Sequence, residues 1–205
     1  SSGDLSNATE IINKSSSEIQ VISGDDALTL PMILAGDDVP KGAIVKTPVS
    51  LIDVFPSILD AFNIKKPDNM NGCSLFEIAN TAEDQERVVL SEYHGAGAIS
   101  GAFMLRDRKY KLIYYVDFEP ELYDLVHDPE EMLNLASNKE YTEILDNYVN
   151  KLFNIINPNA INKEALEAQA RVVEKNGGVT KVLEHGGLNG TPVPGGKSTR
   201  IKHSS

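Results

Sequence analysis

Apolar and polar positions change period several times along the chain. Leu28–Ala35 (LTLPMILA) is a short, almost continuous apolar run closed by Gly36, the pattern of a buried strand. Pro31 lies near its start, where a missing donor is tolerated. From Ser50 to Phe62 the period becomes helical, with Leu51, Ile52, Phe55, Ile58, Leu59 and Phe62 on one face. Ser50 and Asp53 form a Ser-x-x-Asp start signal, and Pro56 moves the helix start to Asp53 or later. Arg87–Tyr93 (RVVLSEY), Gly101–Arg106 (GAFMLR) and Tyr110–Val116 (YKLIYYV) read as strands, the last two joined by a turn at Asp107-Arg108-Lys109. Glu121–Leu125 (ELYDL) is a fourth short strand, followed by a turn at Asp128-Pro129. Glu140–Ile156 carries the longest helical stripe, formed by Tyr141, Ile144, Leu145, Tyr148, Leu152 and Ile155, and Pro158 stops it. A second helix over Lys163–Asn176 ends at Gly177-Gly178.

This order predicts an α/β lead-in to an α+β arrangement, in which a small antiparallel sheet is packed by helices. Residues 1–27 are polar and irregular in pattern, 28–185 hold the strands and helices, and 186–205 read as a loose tail. That tail is rich in Gly, Pro, Ser and Thr and too poor in large apolar residues to offset its ordering entropy.

Composition narrows the class without naming a function. A chain of 205 residues is long enough to bury about 70% of its unfolded surface. The net charge is −11; the tail contributes +3 through Lys197, Arg200 and Lys202, leaving −14 on the rest. So acidic a chain is not expected to bind nucleic acid. No apolar run reaches the roughly 18 residues of a membrane span, and residues 1–25 contain no apolar signal-peptide core. The single cysteine excludes internal disulfides and multi-thiolate zinc sites, and leaves the compartment open.

Few residues carry chemistry. Cys73, in Asn71-Gly72-Cys73-Ser74-Leu75, has no flanking histidine or cation to activate it and reads as a buried structural thiol. Asp25-Asp26 and Asp37-Asp38 read as solvated turns, since no Asp-x-Asp-x-Asp-Gly loop surrounds them. His127, His185 and His203 are scattered and form no metal-ligand spacing. His94 differs: in Glu92-Tyr93-His94-Gly95-Ala96-Gly97-Ala98 it ends a strand and enters a glycine-rich loop. Backbone there can approach a ligand closely, and an imidazole can bind an anion or donate a proton. A turn histidine bonded to backbone is the alternative.

Three segments resemble the sulfatase family. Thr47–Phe62 (TPVSLIDVFPSILDAF) is similar to its "vs-x-x-D-x-x-P-T-x-L" segment, and Asn71–Leu75 to its "dG-x-SL". Glu121–Leu125, with Asp128-Pro129-Glu130 and Asn134-Leu135-Ala136, is similar to "eLYDL-x-x-DP-x-E-x-x-NLa". Together they span about Leu30 to Phe153, and Gly190–Gly195 also resembles the end of choline-sulfatase-like members. The resemblance implies the C-terminal part of an alkaline-phosphatase-type fold. It also implies hydrolysis of sulfate esters by a formylglycine made from Cys or Ser, with a bound calcium ion.

The family's nucleophile motif is Cys-x-Pro-x-Arg, whereas Cys73 is followed by Ser74, Leu75, Phe76 and Glu77. No catalytic residue, resident metal or cofactor is therefore expected in this chain, and the nucleophile-bearing half is expected outside it. Ser1-Ser2-Gly3-Asp4 through Asn13-Lys14-Ser15-Ser16 has the spacing of the family's "D-H-G-D … G-K-S-T". That alignment makes Lys14 a sulfate contact, against an unrelated surface lysine, and puts serines where calcium would want carboxylates. The resemblance also places His94 in the loop facing the substrate. The expected role is that of a substrate-pocket wall in a sulfuric ester hydrolase acting on a small sulfate ester. A missing N-terminal half or a second subunit would be the partner, and the chain alone is expected to be inactive. A non-catalytic sulfatase-like binding module, or a phosphoester or phosphonate hydrolase of the same superfamily, are the alternatives.

Overall fold

The computed structural model describes residues 19–20, 32–36, 39–95 and 98–184. Ile19–Gln20 (β1) pairs antiparallel with Ile33–Leu34 (β2), Ile19 opposite Leu34 and Gln20 opposite Ile33. This changes two expectations. The strand covers two residues of the predicted run, whose residues 28–31 lie outside the described ones, and its partner falls in a segment expected to be irregular. The strand is also not buried on both faces. Met32 and Leu34 pack on a cluster of Val39, Val45, Leu75 and Ile78, whereas Ile33 is 48% exposed. Alternating side chains meet a single packed layer, so one face stays open.

A 3-10 turn at Leu51–Asp53 leads into α1 (Val54–Ala61), as Pro56 required. The helix does not bury its apolar face. Leu51, Phe55, Ile58 and Phe62 are 78%, 57%, 47% and 72% exposed, while Asp53, Pro56, Ser57 and Leu59 are buried. Hydrogen bonds explain the inversion. Ser57 Oγ donates to the Asp53 carbonyl (2.6 Å) and accepts from the Leu75 N–H (2.8 Å), tying the polar side of α1 to α2 (Leu75–Asn80). Asp53 is fully buried: Oδ2 accepts from the Ser50 N–H (2.8 Å), and Oδ1 accepts from the Cys73 N–H (2.8 Å) and from Arg87 Nη2 (2.7 Å). One carboxylate thus joins the start of α1, the loop before α2 and the residue leading into the sheet.

Gly72 sits inside this junction at φ +89°, and a Cβ there would lie 2.5 Å from the Ile52 carbonyl oxygen. Gly72→Ala therefore combines a left-handed backbone with a clash against main chain. It is expected to cost about 1–3 kcal/mol, read as a lowered denaturant midpoint. A loss under about 0.5 kcal/mol would mean that the loop relaxes freely.

The second half of the chain is a meander. Val89–Tyr93 (β3), Ala102–Arg106 (β4), Tyr110–Tyr115 (β5) and Glu121–Asp124 (β6) pair consecutively and antiparallel. Leu105 lies opposite Leu112, and Leu112 opposite Leu122. With period two, Phe103, Leu105, Leu112 and Val116 share one face and bury it against Tyr148 and Leu152 of α3 (Thr142–Ile155). The predicted turn at Asp107 is pinned twice. Oδ1 accepts from the Lys109 and Tyr110 N–H groups (2.7 and 2.8 Å), and the Tyr148 hydroxyl donates to Oδ2. Burial, with the Asp107 carboxylate beside it, pushes the Tyr148 phenol well above its ordinary range.

Pro158 does stop α3, and it also opens α4 (Pro158–Lys175), five residues earlier than the spacing predicts. A proline is suited to the first helical turn, and Asn157 caps it by accepting from the Ala160 N–H (3.1 Å). Gly177 and Gly178 take positive φ (91° and 86°), after which α5 (Gly178–Glu184) resumes. Among the described residues no helix is long and apolar enough to cross a membrane. The tail beyond residue 184 lies outside the described residues.

Candidate functional site

His94 follows the last residue of β3 and opens the loop to β4. The core face of the sheet positions its ring: it stands edge-on to Phe103, centroids 5.3 Å apart and planes 77° apart. Such a pair contributes about 0.5–1.5 kcal/mol beyond area burial and fixes orientation. Gly101 supplies the space, since a Cβ there would come within 2.7 Å of His94 Cε1. Helix α4 holds the loop at both ends. Gln169 Nε2 donates to the His94 carbonyl (3.0 Å), and the Gly101 N–H donates to the buried Asn162 Oδ1 (2.7 Å).

The imidazole keeps one nitrogen engaged and one spare. Nε2 lies 3.4 Å from Glu92 Oε2, and Nδ1 is buried with no hydrogen-bond partner among the described residues. With Nε2–H donating to Glu92, Nδ1 is an acceptor; a protonated ring would donate from it. A buried, unsatisfied ring nitrogen is costly, and supplying it with a partner recovers that cost. The arrangement suits an orienting contact to a polar or anionic group.

The other candidates fare differently. Lys14, Asp25-Asp26, Asp37-Asp38, His185 and His203 lie outside the described residues. His127 is 77% exposed and sits 3.0 Å from Asp124 Oδ2, so it serves the β6 loop. Cys73 is exposed, which corrects the expectation of a buried thiol. The junction with Asp53 uses that residue's backbone N–H and leaves its side chain outside. Among the described residues no group of three His, Cys, Asp or Glu side chains could hold a metal ion. The described residues therefore supply no such ligand set for calcium.

The motif Leu122-Tyr123-Asp124-Leu125 … Asp128-Pro129 … Asn134-Leu135 is loop architecture. Asp124 Oδ1 accepts from the Val126 and His127 N–H groups, and both Asp128 oxygens accept from the N–H groups of Met132 and Leu133. Asn134 Oδ1 accepts from the N–H groups of Leu122 and Ala136, and the Leu135 N–H returns to the Leu122 carbonyl. Burial alone would raise the Asp124 carboxyl, but its bonds from His127 and Val126 outweigh that and hold it below the ordinary range. Behind this loop, burial and Glu121 push the Tyr123 phenol up to about 12. Asp53, Arg87, Asn162 and Gln169 were not singled out from the sequence as contacts of any site. Asn162, a polar residue beside the apolar Ile161 in α4, offered the one visible cue.

Comparison with known proteins gives a consistent result. Residues 22–157, well over half of the chain, match the family described as N-sulphoglucosamine sulphohydrolase, C-terminal. The chain is 34% identical over 139 residues to arylsulfatase K of Mus musculus, covering 62% of this chain and 25% of that one. Arylsulfatase K of Homo sapiens is also 34% identical over 139 residues, covering 62% of this chain and 26% of its own. The chain thus spans about a quarter of the length of the curated relatives it matches. Among solved structures, a protein in complex with its substrate D-glucosamine-2-N,6-O-disulfate is 23% identical, with a TM-score of 0.52, over 62% of this chain and 29% of that one. A sulfatase described as putative from Bacteroides thetaiotaomicron VPI-5482 is 30% identical over 50% of this chain and 23% of that one, with a TM-score of 0.44.

Proposed function

The chain belongs to the sulfatase family as its C-terminal portion, and from this we propose that it forms one wall of the substrate pocket of a sulfuric ester hydrolase. The observation that carries the reading is His94, its ring fixed by Phe103 and its buried Nδ1 left without a partner. A hydroxyl of the ester would donate to that nitrogen in the neutral ring, and a sulfate oxygen would accept from it in the protonated ring. The substrate is a small sulfate ester, and a sulfated sugar is the class suggested by the ligand of the structural relative. Lys14, by its motif spacing alone, is proposed as a second contact to the sulfate. Family membership implies calcium and formylglycine for the complete enzyme. In the complete enzyme calcium would supply charge stabilisation, and formylglycine, a modified Cys or Ser of the polypeptide, would supply the nucleophile. What this chain adds is orientation, which raises the effective concentration of the reacting ester.

The 205-residue chain incubated with 4-nitrophenyl sulfate and calcium is expected to release no nitrophenol. In a longer polypeptide that carries a Cys-x-Pro-x-Arg segment ahead of this chain, His94→Ala should raise KM. An increase of roughly tenfold or more is expected for losing a hydrogen bond to a charged group, with kcat changing less. His94→Gln, which keeps a polar partner, should recover part of the loss. An unchanged kcat/KM in the alanine variant, with the fold intact, would remove His94 from the pocket.

A further inference from the structure

We propose that Gln169 of α4 is a positioning residue for substrate binding: its side-chain amide fixes the peptide after His94 and so aims the imidazole. The proposal rests on the reading of His94 above and names what sets that ring. The β3–β4 register runs from Val89–Arg106 to Tyr93–Ala102, so His94 and Gly101 are the next positions beyond it. The residue after His94 is Gly95, whose backbone is permissive and adds little stiffness of its own. The ring has one polar tether, Glu92 Oε2, at 3.4 Å from Nε2, a long contact that constrains weakly. Where the imidazole points therefore depends on how the backbone at His94 is held.

Helix α4 supplies that restraint from outside the sheet. Gln169 Nε2 donates to the His94 carbonyl (3.0 Å), and Asn162 Oδ1 accepts from the Gly101 N–H (2.7 Å). The two residues are two helical turns apart, on one face and about 10 Å from each other along the axis, so one rigid element grips both ends of the loop. Their contributions differ. Asn162 is buried, and removing it would strand a buried N–H, so its loss falls on stability. Gln169 is exposed, and a single exposed hydrogen bond adds little to the stability of the fold. Its effect is concentrated on the peptide beside the buried, unpartnered Nδ1. A loss of substrate affinity without a loss of stability is the mark of such a role.

The test begins with the full chain. The His94 ring protons, assigned by their loss in His94→Ala, are followed by NMR. Gln169→Ala is expected to shift them and to weaken their contact with the Phe103 ring, while the melting temperature stays within about 2 °C of the parent, as for other exposed changes. Gln169→Glu keeps the shape but its ionised carboxylate cannot donate, so it should behave as the alanine variant. Gln169→Lys, which keeps an N–H donor, should restore the parent signals. In the longer polypeptide with a Cys-x-Pro-x-Arg segment, acting on 4-nitrophenyl sulfate, Gln169→Ala should raise KM about three- to tenfold, with kcat changing less. It should add nothing in the His94→Ala background, because it acts through that residue. Ring signals indifferent to Gln169→Ala, or a KM increase that persists in full without His94, would overturn the proposal. So would an unchanged KM in Gln169→Ala where His94→Ala raises it. An unchanged KM in His94→Ala would overturn the His94 reading and the substrate role of Gln169 with it. The ring signals fail only if Gln169 does not hold the imidazole, so the two failures are told apart.

Discussion

Asp53→Ala is expected to cost about 3–5 kcal/mol, enough to unfold the N-terminal half of the described structure at physiological temperature. The side chain is fully buried and accepts from two backbone N–H groups and the Arg87 guanidinium. Removing it strands all three donors, including a guanidinium whose side chain is only 16% exposed. The penalty is mainly the desolvation of those orphaned groups, since an intact buried ion pair contributes little net stability. Asp53→Asn should therefore lose less, because its amide oxygen still accepts while the charge on Arg87 goes unmatched. Equilibrium urea unfolding of the three proteins orders them. A loss under about 1 kcal/mol for Asp53→Ala would show that water replaces the carboxylate.

Phe103→Ala is expected to be comparably damaging, at about 3–5 kcal/mol, for a different reason. The ring is fully buried between the sheet and α3, so its removal opens a cavity in a close-packed core. It also frees the His94 imidazole, which rests edge-on against it. Phe103→Leu separates the two effects: it refills most of the volume but offers no ring edge. In a sulfatase polypeptide containing this chain, the leucine variant should regain most of the stability while KM stays raised. Full recovery of both would reduce Phe103 to filling space.

Much of the fold was legible because local rules governed it. The four strands, the Asp107 turn and the stripe of α3 follow from period, β-branching and turn chemistry, and the sheet formed where those signals lay. The failures come from longer-range causes. Helix α1 was foreseen in position but not in orientation. Periodicity tells that an apolar face exists, while the Asp53, Ser57 and Arg87 bonds, between residues up to 34 positions apart, decide which way it turns. The sequence around Cys73, with no flanking histidine or cation, predicts a buried structural thiol. A backbone N–H bonded to Asp53 fixed its side chain outside. Pro158 was read as a stop, and is equally a start. For the candidate site, the sequence isolated His94 from its glycine-rich setting. It could not show that Gln169, 75 positions later, holds the loop, because that contact depends on α4 folding back.

The meander has a consequence for the order of assembly. Each of its ladders joins strands that are neighbours in sequence, through connections of a few residues, so closing them costs little chain entropy. Sheets of such low contact order form early and need nothing upstream of Val89 to pair. The α1 segment is the opposite case, anchored by the Asp53–Arg87 bond between residues 34 positions apart. During synthesis or refolding the strands that flank the His94 loop would thus pair locally, while the loop itself is fixed only when α4 folds back, through Gln169, 75 positions away.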